Sequence, residues 1–187
     1  MVTSGNGDHM EVAVLADTHV PGQADAVPDA FRDRVRAADH VVHAGDFGSA
    51  DACADIAALA DDLTAVYGNA DPGDVDLPAV ASAEVGGVTF VVVHGIVNPV
   101  ERAVSSSEGV VTDREDWLDA VADVARARAG ENAVGIGGHS HEVEDVVHEG
   151  VRLLNPGSAT DVGRAEGATM MTATAEAGDL DVTVHER

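Results

Sequence analysis

Five short apolar runs, each giving way to Asp, Asn or His and most with glycine alongside, constrain the fold more than any other feature. Glu11–Ala16 runs into Asp17-Thr18-His19, Val41–Ala44 into Gly45-Asp46, and Thr64–Tyr67 into Gly68-Asn69. Val88–Val93 runs into His94-Gly95, and Ala133–Ile136 into Gly137-Gly138-His139-Ser140-His141. Runs of this length and type have the size of buried strands and are short for helices. A helix is expected over Pro28–Ala37, with proline accommodated in the first turn, and another over Ser49–Ala60, with Ser49 as N-cap. Strand–helix–strand alternation of this kind implies a parallel sheet. Further on, Val80–Val85 and Val88–Val93 flank Gly86-Gly87, a hairpin signal. Asp113–Ala129 is an amphipathic helix with Trp117, Val121, Val124 and Ala125 on one face. Val143–Val147, Val151–Leu154, Ala168–Ala175 and Leu180–His185 complete the strands. Early alternation followed by consecutive strands makes the fold class α/β with two sheets. No repeat or linker divides the chain, so residues 10–187 read as one domain, after a polar, glycine-rich extension at residues 1–9.

Apolar residues make up 45% of the 187-residue chain but aromatic ones only 3%, so the core must be built from Val, Ala, Leu and Ile. No apolar run approaches the roughly 18 residues of a membrane span, and no signal peptide opens the sequence, so a cytoplasmic protein is expected. Lys and Arg total 10 against 34 Asp and Glu, a formal charge of −24, and all ten cations are Arg. Dispersed carboxylates without lysine are the pattern of a chain suited to high salt, where screening shortens self-repulsion to about 3 Å at 1 M. The same count argues against a nucleic-acid module, since no basic face exists to meet phosphates. Arg32, Arg34 and Arg36, alternating with Asp33, read as a solvated helix face. Cys53, the single cysteine, excludes an internal disulfide and a thiolate zinc cluster; on its Ala-rich helix it reads as a small buried residue.

Ligands of α/β sheets bind beyond the carboxyl ends of strands, so the five run ends are expected to converge. Taken singly, each has a plain structural explanation: an Asp or Asn after a strand is commonly a turn residue, and a lone His a satisfied polar group. Together, in this order, they resemble a metal site. Asp17 with His19, and His139 with His141, are spaced two apart and share a face in extended chain. Imidazole nitrogen and carboxylate oxygen without sulfur suit Mn²⁺, Fe²⁺, Ni²⁺ or Zn²⁺. Seven candidates (Asp17, His19, Asp46, Asn69, His94, His139, His141) exceed one ion's needs and suit two bridged by a carboxylate. His43, three residues before Asp46, reads as an inward-facing supporting or core residue; His9, His40, His148 and His185 read as structural or exposed.

At these residues the sequence resembles the calcineurin-like metallophosphoesterase superfamily, and in particular its small single-domain phosphodiesterases of bacteria and archaea. The resemblance runs from Glu11 to the last strand, with all five blocks in family order. It implies a four-layer αββα sandwich with two mixed sheets and two divalent metal ions at the strand ends, Mn²⁺ foremost. One ion would take Asp17, His19, Asp46 and His141; the other would take Asp46, Asn69, His94 and His139, with Asp46 bridging. The implied activity is phosphodiester hydrolysis by a hydroxide held between the ions, with Asp46, Asn69 and His94 in catalytic roles and a small phosphate ester as substrate. A phosphomonoesterase, or an inactive interaction scaffold like the retromer subunit of the same fold, are the alternatives. The number of copies in the assembly stays open.

The departures concern the general acid. Many superfamily members carry His after the Asn of the Gly-Asn block, where it helps protonate the leaving group; here the position is Ala70. Asp71 is then the candidate acid, against a reading as cap of the Asp71-Pro72-Gly73 turn. No basic residue follows His94-Gly95, where Ile96-Val97-Asn98 stands. Val97–Thr112 is expected to be either a lid or a surface loop. Asn155-Pro156-Gly157-Ser158 matches a family segment beside the site and also reads as a tight turn.

Overall fold

The computed structural model describes residues 9–95, 113–130, 132–163 and 167–187. The expected extension (apart from His9) and the Val97–Thr112 segment lie outside them. In chain order the elements are β1 (Met10–Leu15), α1 (Asp29–Ala37), β2 (His40–His43), α2 (Ala50–Leu59), β3 (Leu63–Ala65), β4 (Val80–Val85) and β5 (Val88–Val93). Then come α3 (Arg114–Ala129), β6 (Ala133–Ile136), β7 (Val143–His148), β8 (Val151–Pro156), β9 (Thr169–Glu176) and β10 (Asp179–Glu186). They form two five-stranded sheets, ordered β10-β9-β1-β2-β3 and β4-β5-β6-β8-β7. In the first, β1, β2 and β3 are parallel and β9 and β10 antiparallel; in the second, β5, β6 and β8 are parallel, with β4 and β7 antiparallel at the edges.

The period of two along each strand builds the layers. Val12, Val14 and Ala16 point between the sheets, where they meet Val42, Phe90, Val92, Ile136, Leu154 and Met171. Ala13 and Leu15, one residue out of phase, point outward and pack with Phe31 and Val35 of α1 and Ile56 of α2. On the far side, Val91 and Leu153 face outward onto Trp117, Leu118 and Val121 of α3. Helix, sheet, sheet and helix follow in that order, as the αββα expectation requires. Strands buried on both faces explain why the runs read as continuously apolar.

Local signals act as anticipated at most boundaries. Ser49 caps α2, its hydroxyl accepting from the Ala52 N–H at 3.1 Å. Pro28 stands at the N-cap of α1, one position earlier than expected. Gly86 and Gly87 both have positive φ, the conformation that lets a two-residue loop match strand twist while Val85 pairs with Val88. The third strand is shifted: it spans Leu63–Ala65 rather than Thr64–Tyr67, because Tyr67 leaves the ladder and donates its N–H to Pro78. Cys53 also differs from expectation. It is half-buried at the rim of the α2 face, and that burial pushes its thiol pKa up. Arg34 and Arg36 are solvated, with Arg36 paired to Asp33 at 2.7 Å. Among the described residues, no helix is long and apolar enough to cross a membrane.

Candidate metal centre

The carboxyl ends of β1, β2, β3, β5 and β6 deliver the seven predicted side chains to one place between the two sheets. Two groups form. Asp17, His19 and His141 offer ligand atoms within 4.8 Å of one another, and so do Asp46, His94 and His139. Asp46 stands between the groups, its Oδ2 3.7 Å from His19 Nε2 and 3.3 Å from His94 Nε2. Asn69 is exposed at the mouth, with Oδ1 3.0 Å from His94 Nε2. Each group contains three of the four side chains the resemblance assigns to one ion, and the fourth, Asp46 for the first group and Asn69 for the second, lies beside it.

The backbone bends sharply to present these side chains. Asp17, His19, Asp46, His139 and His141 all have φ between 47° and 71°, a region that non-glycine residues seldom occupy. Such conformations each cost on the order of 1–3 kcal/mol and persist where surrounding structure holds them. Here the hold is visible. The His19 N–H donates to the Asp46 carbonyl and the Asp17 N–H to the Gly45 carbonyl, both at 3.0 Å. The His139 N–H donates to Asp17 Oδ2 at 2.9 Å, and the Ser158 hydroxyl to the Asp17 carbonyl at 2.9 Å. Gly68 is required by close approach, since a Cβ there would run into Asp46 Oδ1.

The donor atoms fit divalent cations. Asp17 Oδ1 is buried and has no hydrogen-bond partner, although it lies 3.3 Å from His141 Nε2. An unsatisfied buried carboxylate oxygen is costly, and coordination removes that cost. His94 Nδ1 donates to the Ala44 carbonyl at 2.7 Å and His141 Nδ1 to the Val162 carbonyl at 2.6 Å. In a neutral imidazole, those bonds leave Nε2 as a bare lone pair. The lone pairs then face acceptors or one another: His141 Nε2 is 3.3 Å from His19 Nε2, and His94 Nε2 lies close to Asn69 and Asp46 oxygens. Lone pairs converging at this range repel unless a positive charge sits among them. Carbonyl-anchored imidazoles are also the arrangement that orients histidine ligands.

In the metal-free chain the carboxylates act on the imidazoles directly. Burial disfavours a proton on His94, yet the Asp46 and Asp17 carboxylates outweigh it and raise the pKa to about 9. His141 is likewise raised against its burial by Asp17. For Asp46, burial opposes ionisation but His94, His19 and the Ala70 N–H outweigh it, holding the carboxyl below its usual range. His19 and His139 go the other way, lowered chiefly by burial. In the metal-free site the two carboxylates thus favour positive charge at His94 and His141.

Asp71 does neither of the things expected of it. Its carboxylate is buried and accepts three backbone N–H groups: Asp46 at 3.0 Å and Gly68 at 2.8 Å on Oδ2, and Gly48 at 2.9 Å on Oδ1. A group so engaged acts as an acceptor, so the general-acid assignment is corrected. The turn-cap reading is corrected as well, because none of the three donors belongs to the Asp71-Pro72-Gly73 turn. Asp71 instead ties the loop after β2 to the loop after β3. Asn155 also has a structural part: it is fully buried and donates to the Gly138 carbonyl at 3.1 Å and Ser140 Oγ at 2.9 Å. Thr18 was missed by sequence reasoning. It is buried, and its hydroxyl is 3.3 Å from the Phe47 carbonyl and 3.4 Å from His43 Nε2. Its only sequence signal was its place between Asp17 and His19.

His43 has the supporting role anticipated. It is fully buried, stacks on Phe47 with ring centroids 3.6 Å apart, and accepts the Gly45 N–H on Nδ1 at 3.2 Å. Burial pushes its pKa down to about 3. A histidine depressed in the folded state contributes stability that is complete above its ordinary pKa of 6.5 and is lost as pH falls from there toward 3. Each proton taken up only by the unfolded chain costs about 1.4 kcal/mol per pH unit. His43→Gln is therefore expected to flatten the fall of metal-free stability between pH 6.5 and 4 by about one proton's slope. Urea midpoints measured across that range check this, and an unchanged slope would contradict it.

The comparisons with known proteins agree with this geometry. Residues 10–178 match the calcineurin-like phosphoesterase superfamily domain. A probable metallophosphoesterase of Methanothermobacter thermautotrophicus is 30% identical over 181 residues, 94% of this chain and 91% of the relative. Vacuolar protein sorting 29 from Cryptosporidium parvum superposes with a TM-score of 0.71 at 18% identity, over 96% of this chain and 98% of that one. A novel archaeal phosphodiesterase superposes with a TM-score of 0.60 at 21% identity, over 94% of this chain and all (100%) of its own. The two structural likenesses establish the shared fold, and the domain match carries the family. With the family's domain matched across residues 10–178 and a metallophosphoesterase relative 30% identical over 94% of the sequence, this chain belongs to the calcineurin-like phosphoesterase superfamily.

Proposed function

We propose that the chain is a two-cation phosphodiesterase whose ligands are Asp17, His19, Asp46, Asn69, His94, His139 and His141. The observation that carries this reading is the pair of ligand groups meeting at Asp46, with the buried Asp17 oxygen left unpartnered. When bound, divalent cations such as Mn²⁺ supply Lewis-acid activation of water and of phosphoryl oxygens. The chain supplies placement and charge. Asp46 serves both groups with one carboxylate, anchored by the Ala70 N–H at 2.7 Å. Asn69 turns Oδ1 toward His94, which leaves its amide N–H groups to orient a phosphoryl oxygen at the exposed mouth. Ala70 supplies no proton and Asp71 is engaged, so the site suits esters whose leaving groups depart as anions, aryl esters above all.

A binding-only role on the same fold would tolerate gaps in the ligand set, whereas all seven positions are filled. The test is hydrolysis of bis-p-nitrophenyl phosphate and p-nitrophenyl phosphate in molar KCl, which screens the −24 charge. Chelator-treated protein is expected to be inactive on the diester and to regain turnover with Mn²⁺. Diester turnover above monoester turnover supports the phosphodiesterase reading; the reverse makes it a phosphomonoesterase. Hydrolysis of neither, with cations bound, returns the chain to the scaffold reading.

A further inference from the structure

We propose that Trp117 is a positioning residue for the Asp46, His94 and His139 group, setting the approach of His94 to His139, and that its indole reports cation binding there. The proposal rests on the two-cation reading above.

Trp117 lies in the first turns of α3 and is 2% exposed. Its Nε1–H donates to the Gly138 carbonyl at 2.9 Å, the peptide immediately before His139. The Gly138 N–H, in the preceding peptide, donates to the His94 carbonyl at 3.1 Å, so one residue links both imidazole-bearing loops. The indole is wedged between those loops. At Gly95, where φ is +99°, an added Cβ would run into Trp117 Nε1, and at Gly137 it would lie 2.7 Å from Cζ2. Gly95, after His94, and Gly137, two residues before His139, are the positions where the indole leaves no room for a side chain. On the same loop, His141 is held separately, by the Val162 carbonyl, and His19 by the backbone of Asp46. A buried tryptophan finds a partner for its N–H somewhere. Here the partner is the carbonyl of the residue whose N–H bonds His94 and whose next neighbour is His139, so a change in the separation of those two ligands bears on the indole's hydrogen bond.

Trp117 is the only tryptophan, so emission isolates it. The experiment is a Zn²⁺ titration of the metal-free full chain, followed by calorimetry and by tryptophan emission. Zn²⁺ has a filled d shell and does not quench as a paramagnetic ion does. Two binding steps are expected, with emission following one of them. Trp117→Phe keeps an aromatic ring and removes the N–H; it should weaken that same step about tenfold and leave the other within about twofold. Val121→Ala, in the same core cluster, should lower the melting temperature and leave both steps unchanged. Emission indifferent to both steps, or a Phe variant that binds like wild type or weakens both steps equally, overturns the proposal. If the variant does not fold, the wild-type emission titration decides alone. Binding of fewer than two equivalents overturns the two-cation reading first, and this proposal with it.

Discussion

Asp46→Asn is expected to reduce diester turnover by on the order of a hundred- to a thousandfold in a cation-saturated preparation. The substitution preserves shape and keeps an acceptor for the Ala70 N–H, which bonds Oδ1 at 2.7 Å. What it removes is the negative charge on the oxygen that lies 3.3 Å from His94 Nε2 and 3.7 Å from His19 Nε2. Two bound cations would repel one another, and a neutral amide would offset that repulsion less than a carboxylate lying between the two ligand groups. Cation stoichiometry should therefore fall together with turnover. Turnover within threefold of wild type, with two equivalents still bound, would remove Asp46 from the centre of the mechanism.

The second large effect concerns folding. Asp71→Ala is expected to lower stability by on the order of 3 kcal/mol, because it deprives three backbone N–H groups of their acceptor. Those donors belong to Asp46, Gly48 and Gly68, so the damage falls on the two loops that carry Asp46 and Asn69. Asp71→Asn, which keeps one acceptor oxygen, should lose less. Urea unfolding of the metal-free chain measures both. Cation affinity should weaken in the same order as stability, and an Asp71→Ala protein as stable as wild type would show that water replaces the carboxylate fully. A surface ion pair offers a contrast. Arg36–Asp33 is exposed, and removing it is expected to be close to neutral.

The two-residue repeat was legible because it follows from strand geometry alone. Val12 and Val14 face one side and Ala13 and Leu15 the other in any extended chain, and only the partner layers had to be found. The run ends were legible for a related reason: a buried strand must surface to turn, so polar residues and glycine collect there. Asp71 was opaque because its meaning depends on donors that are adjacent to it in space. The Asp46 N–H comes from 25 residues away, and nothing local distinguishes a buried acceptor from an exposed turn residue. Cys53 failed on a finer point. The Ala-rich character of α2 spreads apolar surface around the whole helix, so the sequence does not reveal that Ile56 faces the core and Cys53 its rim.

Read by itself, the sequence determined the element order, the lysine-free acidic character and the identity of seven polar side chains at strand ends. Those are consequences of period, composition and chain connectivity, which act over a few residues. The folded structure decided how the seven divide into two groups, which oxygen stands between them and which one is left without a partner. It also decided that five of the seven site residues take positive φ and that Asp71 and Trp117 brace the loops from behind. Those outcomes depend on packing two sheets so that loops far apart in sequence share a few ångströms, and no local pattern encodes a distance between them.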